Sequence, residues 1–319
     1  MKAVTYRHYG SPDELHLEQA ERPVPRAGEV LVKVQATSIN SWEWDLLTGR
    51  PYMYRVAGFR KPKFTIPGAD VAGAVVAVGA GVDRFKEGDE VFGDLSGAGW
   101  GAMAEYVAAP EARLALKSPK MTFEQAAACP QAGVLALEGL RAVAPVAAGQ
   151  SVLINGGGGG AGTFAIQMAK AKGAQVTAVD SAWKQDVMKA AGADRVLDYE
   201  RTDYTRGSER YDLIVDMLLT RSPFAVSRAL SPGGALAVVG GPPRALLSLM
   251  IFRGFVKQKM ALVIAKPSPE CLVALREQFE AGEIVPLIDR TWPLEEITEA
   301  YRYFGAGKAR GKVVIRVGG

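Results

Sequence analysis

The sequence predicts an α/β protein of two domains, one rich in short β-strands and one built on a doubly wound parallel sheet. Three observations carry this reading. Up to residue 122, short alternating runs are separated by turn signals, the spacing of a barrel-like β unit. From residue 151, strand-like and helix-like segments alternate with short links, the signature of a parallel sheet. Where the second pattern starts, residues 154–162 read "INGGGGGAG". Glycine in a regular element is roughly 0.5–1 kcal/mol less favourable than alanine, so five in succession need a physical reason.

Composition bounds the answer. A chain of 319 residues suits two domains. Hydrophobic residues make up 48% and charged residues 23%, which argues against a disordered chain. The net charge of +4 comes from 38 basic and 34 acidic residues scattered along the chain, so no basic face for nucleic acid is expected. Cys129 and Cys271 are far apart and sit in apolar, helix-like contexts, which suggests reduced thiols in the cytoplasm. The N-terminus "MKAVTYRHYG" lacks the apolar core of a signal peptide. The most apolar stretch, residues 245–265, is interrupted by Arg253, Lys257 and Lys259, short of the ~18 apolar residues of a span. It reads as a partly buried loop plus a strand.

The elements follow in order. "EVLVKVQATSI" alternates as a strand behind the turn "PRAGE", and "ADVAGAVVAVGAGV" and "DEVFGD" supply further strands. At "MTFEQAAACPQAGVLALEGLRAV" the pattern becomes helical, with Thr122 as N-cap. "SVLIN" is a buried strand, and "GTFAIQMAKAKG" a helix stopping at Gly173. Next come the strand "QVTAVD", a helix around 184–191, the strands "RVLDY" and "YDLIVDML", a helix around 222–230, and "GALAVVG". After residue 283 strand-like segments return and end in "GKVVIRV". Their simplest home is the first unit, giving 1–122 with 283–319 as one domain and 123–282 as the other.

The glycines then acquire a role. Gly157-x-Gly159-x-x-Gly162 closes a strand and opens a helix, the context of a dinucleotide fingerprint. Gly160 and Ala161 complete the first turn, whose free N–H groups favour phosphate. The second strand ends in Asp180, where a carboxylate would bond a ribose hydroxyl. A methyltransferase also places glycines and an acid near a nucleotide, but usually without so long a β domain ahead of them.

Six segments carry a wider resemblance: "GEVLVKVQATSINSWEWDLLTG", "IPGADVAGAVVAVGAGVDRFKEGDEVFG", "AEYVAAPEARLALKSPKMTFEQAAACP", "GGGGGAGTFAIQMAKAKGAQV", "AGADRVLDY" and "GKARGKVVI". In this order the chain resembles the zinc-free quinone oxidoreductases, the zeta-crystallin-like branch of the medium-chain dehydrogenase/reductase superfamily. The resemblance implies a GroES-like β domain, a Rossmann domain and an NAD(P)H-dependent reductase of quinones or α,β-unsaturated carbonyls. A non-catalytic NAD(P)H-binding protein and a zinc-free alcohol dehydrogenase are the alternatives. Zinc relatives carry a cysteine near "SIN" and a histidine in the "GAD" segment; here these places hold Ile39–Asn40 and Ala69. The only histidines are His8 and His16, so no zinc is expected.

For catalysis, the resemblance puts Asn40 beside the nicotinamide ribose, followed by Glu43 where relatives carry an acid. Tyr52 and Tyr54 could each direct a phenol at a substrate oxygen, and Trp42 and Trp44 would shape an apolar pocket. Lys184 and Tyr199 fall where NADPH-using relatives hold the 2′-phosphate, with Ser181, Gly240 and Arg310 as further cofactor contacts. NADPH is favoured over NADH because Lys184 could offset Asp180 at close range. The apolar run 259–265 reads as an edge strand that would join a homodimer.

Overall fold

The computed structural model describes residues 1–52, 55, 58–256, 258–265 and 267–318. It divides into two compact units, residues 1–131 with 267–280 and 288–319, and residues 132–266 with 281–287. This division moves three segments relative to the sequence reading. The helix Phe123–Ala128 lies on strands Glu29–Ile39, Asp70–Val78 and Lys312–Arg316 of the first unit. The helix Pro269–Glu280 packs on strand Leu114–Leu116 of the same unit. Residues 283–287 go the other way, where the Val285 N–H donates to Gln167 Oε1 at 2.8 Å.

The first unit is a β domain completed by the end of the chain. Its larger sheet runs Ile288–Pro293, Lys312–Arg316, Glu29–Ile39, Asp70–Val78, Glu90–Asp94 and Leu114–Leu116, with Tyr106–Pro110 also paired to Glu29–Ile39. Val313 lies opposite Ile39 in an antiparallel register that carries Lys312 to the C-terminal end of the long strand. Ile39, Leu47, Met103, Tyr301, Val313 and Ile315 form the core beneath that junction. The last segment is not all strand, because Ile297–Gly305 is a helix whose Tyr301 is fully buried.

The second unit is a six-stranded parallel sheet ordered Arg195–Asp198, Gln175–Asp180, Ser151–Asn155, Tyr211–Asp216, Leu230–Val238, Lys259–Leu262. "SVLIN" is buried almost throughout, as a central strand covered on both faces must be. The helix Gly160–Ala171 ends at Gly173, whose φ of +77° provides the left-handed stop. Two sequence expectations need correction. The apolar stretch from 245 is a helix, Pro243–Phe252, followed by the edge strand, because the Pro242–Pro243 pair presets an N-terminus. The helical pattern after Thr122 breaks in two at Pro130, giving Phe123–Ala128 and Pro130–Arg141. Thr122 does cap the first of these, accepting from Gln125 N at 3.1 Å. Among the described residues no helix is long and apolar enough to cross a membrane.

Candidate active site

In the parallel-sheet unit the strand order reverses beside Ser151–Asn155, the crevice where such sheets receive ligands. The glycine loop leaves that strand. A methyl at Gly162 would overlap the Gly156 carbonyl oxygen, and one at Gly157 would come within 2.9 Å of Ala178 Cβ. These two glycines let the helix and strands pack closely. At Gly159 a methyl would make only ordinary contact, its nearest neighbour being the Gly156 carbonyl oxygen at 3.6 Å, so packing does not require glycine there. This residue is the N-cap of Gly160–Ala171 and makes no side-chain cap. The amides of Gly160, Ala161 and Gly162 lack i−4 partners by geometry, leaving a donor-rich, positive helix end.

Asp180 closes this loop from the neighbouring strand. Its Oδ2 accepts from Gly158 N at 3.0 Å, and its Oδ1 from Ser181 N at 2.8 Å. Lys184 folds back over Gly158 and places Nζ 3.7 Å from Asp180 Oδ1. The two side chains are 15% and 9% exposed, and the lysine faces both the aspartate and the Trp183 ring, 5.0 Å from its centroid. Tyr199 is half-exposed, and its N–H donates to the Asp180 carbonyl at 3.2 Å. Gly240 permits close approach of two loops, since a methyl there would lie 2.7 Å from the Met217 carbonyl oxygen. The residues 157–162, 180, 181, 184 and 199 thus meet around one loop. The sequence reading missed Asn155 and Asp216 below it. Asn155 Nδ2 donates to Asp216 Oδ1 at 2.8 Å, tying two strand ends at the point of reversal. Burial raises the Asp216 carboxyl above its ordinary range.

The β unit holds a buried polar cluster around Asn40. Asp70 is fully buried. Its Oδ2 accepts from Ser38 Oγ at 2.5 Å, Asn40 Nδ2 at 2.9 Å and Lys312 Nζ at 3.3 Å, and its Oδ1 from Gln131 N at 2.9 Å. Lys312 Nζ also donates to Asn40 Oδ1 at 2.5 Å. Glu43, buried in the first turn of the helix Ser41–Thr48, accepts from Asn40 N at 2.7 Å and Ala69 N at 2.8 Å. Burial, reinforced by the Asp70 charge, pushes its carboxyl up to about 8. Asp70 and Lys312 escaped the sequence reading, although charged residues inside "IPGADVAGAV" and "GKVVIRV" are the available signal.

Other candidates separate from these clusters. Tyr52 is exposed, with the Arg55 guanidinium 4.9 Å from its ring centroid. Tyr54 lies outside the described residues. Trp42 meets Trp100 edge-to-face at 5.5 Å, whereas Trp44 packs against the core cluster that contains Ile39 and Tyr301. Arg310 belongs to the β unit, where it faces Asp289 at 3.8 Å.

Two family models match the chain: an alcohol dehydrogenase GroES-like domain over residues 26–120 and a zinc-binding dehydrogenase over 191–315. A 2-methylene-furan-3-one reductase of Solanum lycopersicum is 34% identical, over 99% of this chain and 79% of the relative. An NADPH-dependent alkenal/one oxidoreductase, chloroplastic, of Arabidopsis thaliana is also 34% identical over the same shares. The solved quinone oxidoreductase of Coxiella burnetii superposes with a TM-score of 0.89 at 27% identity, covering 100% of this chain and 99% of that one. The second family description implies zinc, but the residues here do not fit it. The acceptor atoms of Asn40 and Asp70 receive an ammonium. Among the described residues no three His, Cys, Asp or Glu side chains converge as a metal site.

Proposed function

The chain belongs to the medium-chain dehydrogenase/reductase superfamily, alongside its quinone and enone reductases, and from that membership we propose a zinc-independent reductase that uses NADPH. The observation that carries the cofactor assignment is the loop 156–162, with two glycines required by packing and a third, at a helix N-terminus, that packing does not require. In this reading the amides of 160–162 hold the pyrophosphate, and Asp180, Ser181, Lys184 and Tyr199 hold the adenosine end. Bound NADPH would supply hydride to the electron-poor carbon or oxygen of the substrate. The chain's own part is to orient the cofactor and to donate hydrogen bonds to oxygens that gain negative charge, with Asn40 in that role. NADPH over NADH is supported by Lys184 and by the relative named NADPH-dependent. Cytoplasmic placement rests on reading Cys129 and Cys271 as reduced rather than disulfide-bonded, against several relatives named for the chloroplast.

A homodimer joined at strand Lys259–Leu262 is part of the same reading. That strand ends its sheet, and Met250, Ile251, Phe255 and Ile264 nearby are exposed. The test of function is NADPH oxidation with 9,10-phenanthrenequinone and with an enone, set beside direct titration of NADPH binding. Turnover with either acceptor supports the reductase. Cofactor binding without turnover supports the non-catalytic alternative.

A further inference from the structure

The Asn40 amide is fixed by groups of opposite chemistry. An ammonium only donates and a carboxylate only accepts, so Lys312 at Oδ1 and Asp70 at Nδ2 permit one orientation of the amide. The backbone N–H of Asn40 is spent on Glu43, and its carbonyl accepts from Trp44 N at 3.3 Å. One Nδ2 proton is left. We propose that Lys312 is a positioning residue which holds Asn40 as a single-proton donor toward a ligand oxygen, its charge taking the place of a metal cation. The claim rests on the reading of Asn40 as a reaction-site residue. It adds the source of the orientation and the ligand chemistry: an accepting carbonyl, hydroxyl or enolate oxygen, never a group that can only donate.

The charge matters as well as the geometry. A cation on the amide oxygen draws density from the amide and strengthens the remaining N–H as a donor, an effect enlarged in a buried site. Asp70 keeps the cluster neutral overall while receiving four hydrogen bonds. Lys312 and Asp70 have side chains 2% and 0% exposed, so solvent screens neither.

Removing Lys312 alone would strand a buried carboxylate. The test therefore replaces both charges, Lys312→Met with Asp70→Asn, in wild type and in Asn40→Ala. Positioning predicts a loss of kcat/KM of at least tenfold in wild type and little further loss once Asn40 is gone. Equal losses in both backgrounds would assign Lys312 a structural role only. An NMR measurement on the unmodified protein is independent of activity and of variant folding. The two Asn40 Nδ2 protons should differ, one protected from exchange by Asp70 and one not. Two equivalent, freely exchanging protons would overturn the fixed amide. Unequal protons in a protein that reduces nothing would retain the orientation and refute the functional reading.

Discussion

Lys184 holds its ammonium 3.7 Å from the Asp180 carboxylate, and both lie against Gly158. A 2′-phosphate would have to draw the lysine from the aspartate or share it. Lys184→Ala should weaken NADPH by on the order of 1–2 kcal/mol, about tenfold, and leave NADH nearly unchanged. Titration of both cofactors reads this directly. An unchanged NADPH/NADH ratio would make Asp180 decisive and the enzyme NADH-dependent.

Asp180→Ser should shift the ratio toward NADPH but lower affinity for both cofactors. The carboxylate orders the loop through the Gly158 and Ser181 amides, and the serine hydroxyl cannot serve both. Tighter NADPH binding with NADH undiminished would show that the loop does not depend on this aspartate.

The glycines should divide by mechanism. Gly162→Ala forces a methyl into the Gly156 carbonyl, so thermal stability should fall by about 1–3 kcal/mol or more. Gly159→Ala has room in the free protein and should melt almost as wild type, yet bind NADPH at least tenfold more weakly. Calorimetry and cofactor titration on both variants separate the two effects.

Glu43 gives the fold a pH signature. Its carboxyl rises from 4.5 to about 8 on folding, so the folded state binds the extra proton between these values. Stability is therefore lost as pH rises through that window, with a slope of about 1.4 kcal/mol per pH unit for one proton. Glu43→Gln should flatten the slope while lowering stability overall, since one amide oxygen cannot serve both Asn40 N and Ala69 N. Urea unfolding across the window checks it, and parallel slopes for the two proteins would contradict it.

The exposed edge strand should pair. Light scattering at micromolar concentration is expected to give twice the 34.0 kDa of one chain, and Ile264→Glu should shift the mass toward a monomer. A wild-type monomer would remove the dimer from the account.

Much of this architecture was legible because it is periodic or punctuated. "SVLIN" followed by glycines specifies a central strand and a tight turn that opens a helix, and Thr122 with Gln125 announces a helix start. The Asn40 cluster was less legible because it is assembled from distant segments: Lys312 meets Asn40 only through the antiparallel pairing of Val313 with Ile39. The closeness of Lys184 to Asp180 was legible in the i, i+4 spacing, but its lying over Gly158 was not, because that depends on the absent side chain there. The helix Pro243–Phe252 was hidden because its exposed apolar face obscures the usual period.

The most direct test of the central claim follows hydride itself. The protein, dialysed against EDTA and checked for metal content, is given an enone and NADPH deuterated at the transferred position. The account predicts one deuterium at the β-carbon of each saturated product, from protein without stoichiometric zinc. Saturated product lacking deuterium, or turnover only when zinc is restored, would contradict it.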